Sequence, residues 1–382
     1  MGYRLSDDEA MIRKMVGEFA REQVGLETAA EQDRHDRFPA EPLAAAAGLG
    51  LTLMGLPAEQ GGAGVTPTAL ALAIDELAQV DPNSAAILSL HNGLALRALA
   101  AASDDLRGRL LASAAEGKTI AVLATEEAHG SDTSKVNTRA EPAEDGGYIL
   151  TGQKAWGLGA AGAAHFLVLA DVPDGGPTLF AVPSDASGVT LGRNEPLLGL
   201  RASGIRTVYL AGVTVAAGDV VGEVGQGAAL LDEARPWLKV AAAAALTGCT
   251  AGAMEQAARF AESRIQFGEP IGKYQAVSDS VTQMGLQVAA SRALYLEAAA
   301  ALEDDPDAAP AAAARAKLHA SETAIWMTRK AIRVMGGTGF MREGIAERFL
   351  RDARALQFIG ETAQMQREIL KRDMLDIDFP AT

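Results

Sequence analysis

The segment Phe358–Gln366, FIGETAQMQ, places a carboxylate, Glu361, beside a glycine, Gly360. It joins an arginine-rich run, AERFLRDARALQ, to a helix-like run, TAQMQREILK. A carboxylate there suits two roles. It can be a general base, worth about 10²–10⁴-fold in rate. It can also be an acid in a helix's first turn, favoured by the dipole by about 0.3–1 kcal/mol. Other reactive types form no constellation. The histidines (His35, His91, His129, His165 and His319) lack metal-ligand spacing, and no G-x-S-x-G nucleophile motif or G-x-x-x-x-G-K-[ST] loop occurs. The single cysteine, Cys249, excludes an intrachain disulfide and a cysteine zinc site, and its Ala/Gly-rich surroundings suit a small core residue. Gly157, Gly159 and Gly162 match G-x-G-x-x-G. A dinucleotide fingerprint must open a helix, whereas the AHFLVLADV that follows is strand-like.

These residues must be positioned by a chain of 382 residues, 48% apolar, which is long enough for two or three domains. Net charge is 34 − 49 = −15 with no Lys/Arg stripe, which argues against nucleic acid and against anionic membranes. The N-terminus lacks a signal peptide's apolar core, and the Ala-rich 240–254 run is too short to span a bilayer. A cytoplasmic protein is expected.

Residues 1–118 carry helical periodicity: SDDEAMIRKMVGEFAREQV opens on an N-cap signal, and PTALALAIDELAQV and DDLRGRLLASAAEG follow. Residues 119–225 change character. TIAVLA, GYILTGQKAW, HFLVLADV, PTLFAVP and TVYLAGVTV are short and rich in β-formers, and turn clusters such as EPAEDGG separate them. Residues 226–382 return to helix, expected over 227–263, 276–303, 308–335, 342–355 and 361–373, with Pro306 and Pro310 marking a tight connection. The fold class expected is mainly α with a central β-domain.

Three stretches occur in an order and spacing that resemble the acyl-CoA dehydrogenase family: ATEEAHGSD with YILTGQKAW, RIQFGEPIGKYQ, and RVMGGTGFMREGIAERFLRDAR. GLPAEQGGAG, SLHNGL and VVGEVGQG add to the likeness, which covers essentially the whole chain. The resemblance implies an N-terminal helical domain, a middle β-barrel or sandwich and a C-terminal four-helix bundle. It implies FAD bound at subunit interfaces, usually in a homotetramer, with a dimer as the alternative. It implies α,β-dehydrogenation of an acyl thioester, on coenzyme A or an acyl carrier protein, with electrons passing to an electron-transferring flavoprotein. SLHNGL favours a short acyl group.

By the same resemblance Ala124, Thr125, Ser131, Trp156, Leu158, Thr362 and Gln364 match positions around the flavin, with Ser131 also near substrate. Arg264 is placed at a phosphate and Phe267 and Gln275 at the adenine end, while Arg333, Gly336 and Gly337 match an FAD-contacting segment of the neighbouring subunit.

Five positions depart from the family. Its base usually sits in Tyr-Glu-Gly-Thr; here Gly360 occupies the Glu position and Glu361 the Gly position. The alternative base position, on the helix after the β-domain, holds Leu238, with Asp232 and Glu233 about a turn and a half earlier. Leu158 replaces a flavin-contacting Thr, Arg333 a Gln and Lys239 a substrate-pocket Arg. Glu361 is the leading candidate base, with Gly360 and Lys239 as substrate contacts; another carboxylate, or no conventional base, are the alternatives. A flavin monooxygenase or oxidase on the same fold is the competing function.

Overall fold

The computed structural model describes residues 4–130, 135–375 and 377. Helix α1 (Asp7–Phe19) opens on the expected cap. Ser6 Oγ accepts the Glu9 amide at 3.2 Å, and Glu9 accepts the Ser6 amide at 2.9 Å. Helices α2 (Leu26–Arg34), α3 (Ala40–Gly48), α4 (Pro67–Ala78), α5 (Pro82–Leu90), α6 (Arg97–Leu99) and α7 (Asp104–Ala115) complete the first helical region. Thr66 and Asp81 cap α4 and α5, each with proline in the first turn. A π-helical segment, His91–Leu96, joins α5 to α6.

The middle region is one eight-stranded sheet. Its strands are β1 (Thr119–Leu123), β2 (Arg139–Pro142), β3 (Tyr148–Gly157), β4 (Ala163–Val172), β5 (Gly176–Pro183), β6 (Val189–Asn194), β7 (Arg206–Val215) and β8 (Val220–Val221). The order is β6-β7-β3-β2-β4-β5-β8, with β1 added parallel to β4. Five of these strands are the β-rich runs of the sequence; β2, β6 and β8 are additional. Glu141 and Pro142, expected as turn, end β2 against β3. The G-x-G-x-x-G stretch runs from the end of β3 to the start of β4 and opens no helix.

The last region holds α8 (Gly227–Ser263), the hairpin β9 (Ile265–Gln266) and β10 (Glu269–Pro270), α9 (Gln275–Asp304), α10 (Ala309–Met335), α11 (Gly337–Phe340), α12 (Ala346–Leu356) and α13 (Ala363–Met374). Helices α8, α9 and α10 pack on one another, and α12 and α13 pack on α10. Helix α8 is long and apolar enough to cross a bilayer, but 89% of its most apolar stretch is buried inside the protein. Small residues let it sit tightly on α4: a Cβ at Gly248 would lie 2.1 Å from the Asp75 carbonyl oxygen. Helix α13 starts at Ala363 under the N-cap Thr362, so the helix expected from 361 begins two residues later.

One apolar core runs through both helical regions, a second lies between the sheet, α7 and α8, and a third lies within the sheet region. A cavity opens where the first two meet. Leu158 and Leu200 line it from the first, and Leu94, Val122, Leu231 and Leu238 from the second.

Candidate active site

The cavity has a volume of about 800 Å³ and mostly apolar walls. That size and lining suit a cofactor and a small substrate. Besides Leu90, Leu94 and the 197–205 loop, three parts of the chain build it: the sheet, the face of α8, and the turn between α12 and α13.

The sheet supplies Ala124 and Thr125 after β1, and Trp156 and Leu158 at the end of β3. The Ala155 amide donates to the Thr125 carbonyl at 3.0 Å, joining the two segments. Trp156 adopts φ +53° and leaves 47% of its surface exposed at the cavity wall. A non-glycine residue there is unusual, and an exposed indole costs apolar burial. Behind this wall Glu126 is buried against Lys154, with Oε1 and Nζ 2.7 Å apart. Glu126 also accepts the Asn137 amide at 2.8 Å, the Thr138 amide at 2.9 Å and the Thr138 hydroxyl at 2.7 Å. Burial opposes its charge, but these donors prevail and hold the carboxyl at about 2.

Helix α8 supplies Leu231, Arg235 and Leu238 to the cavity wall. Arg235 and Lys239 lie four apart and so share one face. Pro236 between them removes a helical hydrogen bond.

The α12–α13 turn supplies Phe358, Ile359, Gly360, Glu361 and Thr362. Gly360 and Glu361 are both left-handed, at φ +69° and +73°. A Cβ at Gly360 would lie 3.3 Å from Lys239 Cα and 3.5 Å from the Leu238 carbonyl oxygen. Glycine is therefore suited to position 360 by conformation and by the approach of α8. The carboxylate is carried by the next residue. Glu361 Oε2 lies 2.7 Å from Lys239 Nζ and Oε1 lies 3.0 Å from an Arg235 nitrogen. Both oxygens thus engage cations from α8. Glu361 is outside the first turn of α13, so a dipole role does not account for it.

Ala124, Thr125, Trp156, Leu158, Gly360, Glu361 and Thr362 are brought together around the cavity. Lys239 touches Glu361 but does not line the cavity. Arg264, Phe267 and Gln275 lie at the β9–β10 hairpin and the start of α9, and Arg333, Gly336 and Gly337 at the end of α10, all exposed and outside the lining. Gln364 is exposed and donates to Glu368. Ser131 lies outside the described residues. Asp232 pairs with Arg235, and neither it nor Glu233 lines the cavity. Sequence reasoning missed Arg235, whose signal is its four-residue spacing from Lys239. It also missed Lys154, whose signal is a lone charge inside a strand, and its partner Glu126 in the segment after β1.

The family models for the acyl-CoA dehydrogenase N-terminal, middle and C-terminal domains match residues 6–118, 121–213 and 225–375. The chain belongs to the acyl-CoA dehydrogenase family. A probable acyl-CoA dehydrogenase, FadE25, from Mycobacterium tuberculosis is 32% identical over 387 residues, covering 98% of this chain and 97% of the relative. The butyryl-CoA dehydrogenase structure from Megasphaera elsdenii superposes with a TM-score of 0.92 at 27% identity, covering 98% and 100% of the two chains. The prolyl acyl carrier protein oxidase AnaB superposes with a TM-score of 0.89 at 25% identity, covering 97% and 100%. This acyl-CoA dehydrogenase-type protein is thus an oxidoreductase whose cofactor is FAD. The cavity fits the group: it is apolar, large enough for a tricyclic ring beside an acyl chain, and bordered by an exposed indole.

Proposed function

We propose that this acyl-CoA dehydrogenase-family protein removes hydrogen across the α,β-bond of a short acyl thioester, with Glu361 as the proton acceptor. The observation that carries the reading is the cavity lining: among the described residues Glu361 is its only carboxylate. The alternative base position is the apolar Leu238. FAD, when bound, supplies the hydride acceptor. Trp156, Thr125, Leu158, Thr362 and Ala124 would border its ring, and Ser131 and Gln364 would lie near it. Arg264, Phe267, Gln275, Arg333, Gly336 and Gly337 would hold its diphosphate and adenine across a subunit interface.

The chain's own residues do three things in this reading. Leu90, Leu94, Leu231 and Leu238 exclude water around the acyl group. Gly360 brings the turn onto α8 and faces the substrate with backbone. Glu361 takes the α-proton on an oxygen that exchanges its contact with Arg235 or Lys239 for the substrate. A short acyl group is supported by the contact between the π-helical segment and α8, where a Cβ at Gly93 would lie 3.0 Å from Leu238 Cα. The exposed Phe267, at 94%, and Phe340, at 80%, support burial by further copies of the chain, as a tetramer. An electron-transferring flavoprotein-type partner completes the turnover.

The test is an anaerobic titration of the FAD-loaded protein with short acyl-CoA and acyl-carrier thioesters. Flavin bleaching is expected in the wild type and not in Glu361→Gln, which keeps FAD. Full bleaching of the variant removes Glu361 from the mechanism. Sedimentation separates tetramer from dimer.

A second reading, an oxidase or monooxygenase acting on a carrier-bound acyl group, is favoured by two observations. Both Glu361 oxygens are engaged by α8, and the wall at Leu158 carries no hydroxyl. Rapid reoxidation by oxygen with peroxide or an oxygenated product would select it.

A further inference from the structure

Beneath the turn that presents Glu361 lies a buried ammonium that the proposed reaction does not use. Lys317, on α10, has no exposed surface. Its Nζ donates to the Gln357 carbonyl at 3.0 Å, to Ser321 Oγ at 3.1 Å and to the Glu361 carbonyl at 3.4 Å. An ammonium has three donors, and three acceptors meet them. Two of the three are main-chain carbonyls at the two ends of the Gln357–Glu361 turn. A second tie runs parallel, because the Gln357 side-chain amide donates to the Ser321 carbonyl at 2.5 Å. From α13, Gln366 Nε2 donates to the Gly360 carbonyl at 3.1 Å.

We propose that Lys317 is a positioning residue for Glu361: by holding the carbonyls of Gln357 and Glu361 it keeps the left-handed Gly360–Glu361 pair in place and the carboxylate facing the cavity. The proposal rests on reading Glu361 as the proton acceptor. Two consecutive left-handed residues, one of them not glycine, do not persist without surroundings that fix them. The ammonium supplies that fixation from α10, outside the cavity lining.

The hold depends on the proton. Burial, and then the like charge of Lys239, bring the ammonium down from its ordinary value to about 7, with Glu361 opposing the shift. Of the elements packed on α10, α8 thus faces it with the cation Lys239 and the turn with the anion Glu361. The segment after α12 offers the uncharged Gln357, and its own helix the uncharged Ser321. Among the described residues, α9 and α13 contribute none of the charges acting on it. As pH rises through neutrality the group passes from three donors to two. The longest bond, to the Glu361 carbonyl, is the one given up.

Hydrogen exchange of the FAD-loaded full chain tests this, read on the peptide spanning 357–366 as protection relative to intrinsic rates. In the wild type, protection is expected to fall about fivefold, the worth of one hydrogen bond, as pH rises through about 7. Lys317→Met is expected to show the low protection at every pH, with β4 peptides unchanged. Ser321→Ala removes one acceptor, so its transition is expected at lower pH. A flat wild-type profile, or wild-type protection in Lys317→Met at acidic pH, overturns the proposal. If Lys317→Met does not fold, an unmoved midpoint in Ser321→Ala overturns it. Glu361→Gln keeps the carbonyl and therefore a pH transition. If that variant still bleaches fully with thioester, the reading of Glu361 as base falls while the Lys317 result stands.

Discussion

On the sheet side of the cavity Glu126 is held by two backbone amides, a hydroxyl and an ammonium, all within 2.9 Å. On the helical side Glu361 is held by the side chains of Arg235 and Lys239, on a left-handed backbone over a buried lysine. The first carboxylate sits among fixed donors, and its charge locks the segment carrying Thr125 to β3. The second is held by long side chains that can let go, and it borders the cavity. The same charge type thus anchors one wall and, in the proposed reaction, does the chemistry at the other. What separates the two is that backbone amides share in holding the first, whereas side chains alone hold the second.

The largest effect that would break this contrast is catalytic. Glu361→Gln is expected to lower thioester-dependent flavin reduction by about 10²–10⁴-fold with FAD content unchanged. The same exchange at Glu126 should act on stability instead. Next in size is Lys154→Met, which leaves Glu126 buried without its ammonium. Breaking a buried pair this way costs about 3–5 kcal/mol, read as a lowered melting temperature.

Acid titration sharpens the contrast further. Glu126 is held at about 2, below its ordinary value of 4.5. A depressed carboxyl gives stability that is present above 4.5 and lost as pH falls towards 2, about 3 kcal/mol in all. His91, in the π-helical segment, falls in a separate window. Its Nε2 donates to the Thr52 carbonyl at 2.9 Å and its Nδ1 accepts the Ile120 amide at 3.0 Å. Burial brings it down to about 4, and charging the ring would also break the bond that Nδ1 accepts, so the native ring stays neutral while the unfolded ring charges. Stability is therefore lost as pH falls from 6.5 to about 4, again by about 3 kcal/mol. Equilibrium unfolding of His91→Gln should flatten this upper window and leave the lower one. The smallest effect is at the turn: Gly360→Ala is expected to cost about 1–2 kcal/mol in denaturant unfolding, from φ +69° and the nearby Lys239 backbone.

The long helices and five strands were legible because their apolar periods are long and their caps local, the Ser6–Glu9 box being the plainest case. The short α2, α3, α5 and α6 were not read, and the helix expected from 342 starts at Ala346. Strand β2 was hidden because Glu141 and Pro142 resemble a turn, and pairing with β3 is a long-range event. The exchanged Gly360–Glu361 order was visible. Its consequence was not, since the direction of the carboxylate depends on φ at two residues and on the approach of α8. Lys317 was invisible for a different reason. Its acceptors lie on Ser321, one turn along the helix, and 40 and 44 positions away. Nothing in the AKLHAS run around this lysine says that its ammonium points inward.

The contact at Gly93 bears on redesign. Where the π-helical segment meets α8 the two main chains nearly touch, so Gly93 itself offers no side chain to trim. Enlarging the chamber for longer acyl groups must proceed through lining side chains such as Leu94, Leu231 or Leu238. Any bulk added at position 93 would instead push the two helices apart and carry Leu238, Lys239 and their grip on Glu361 with them.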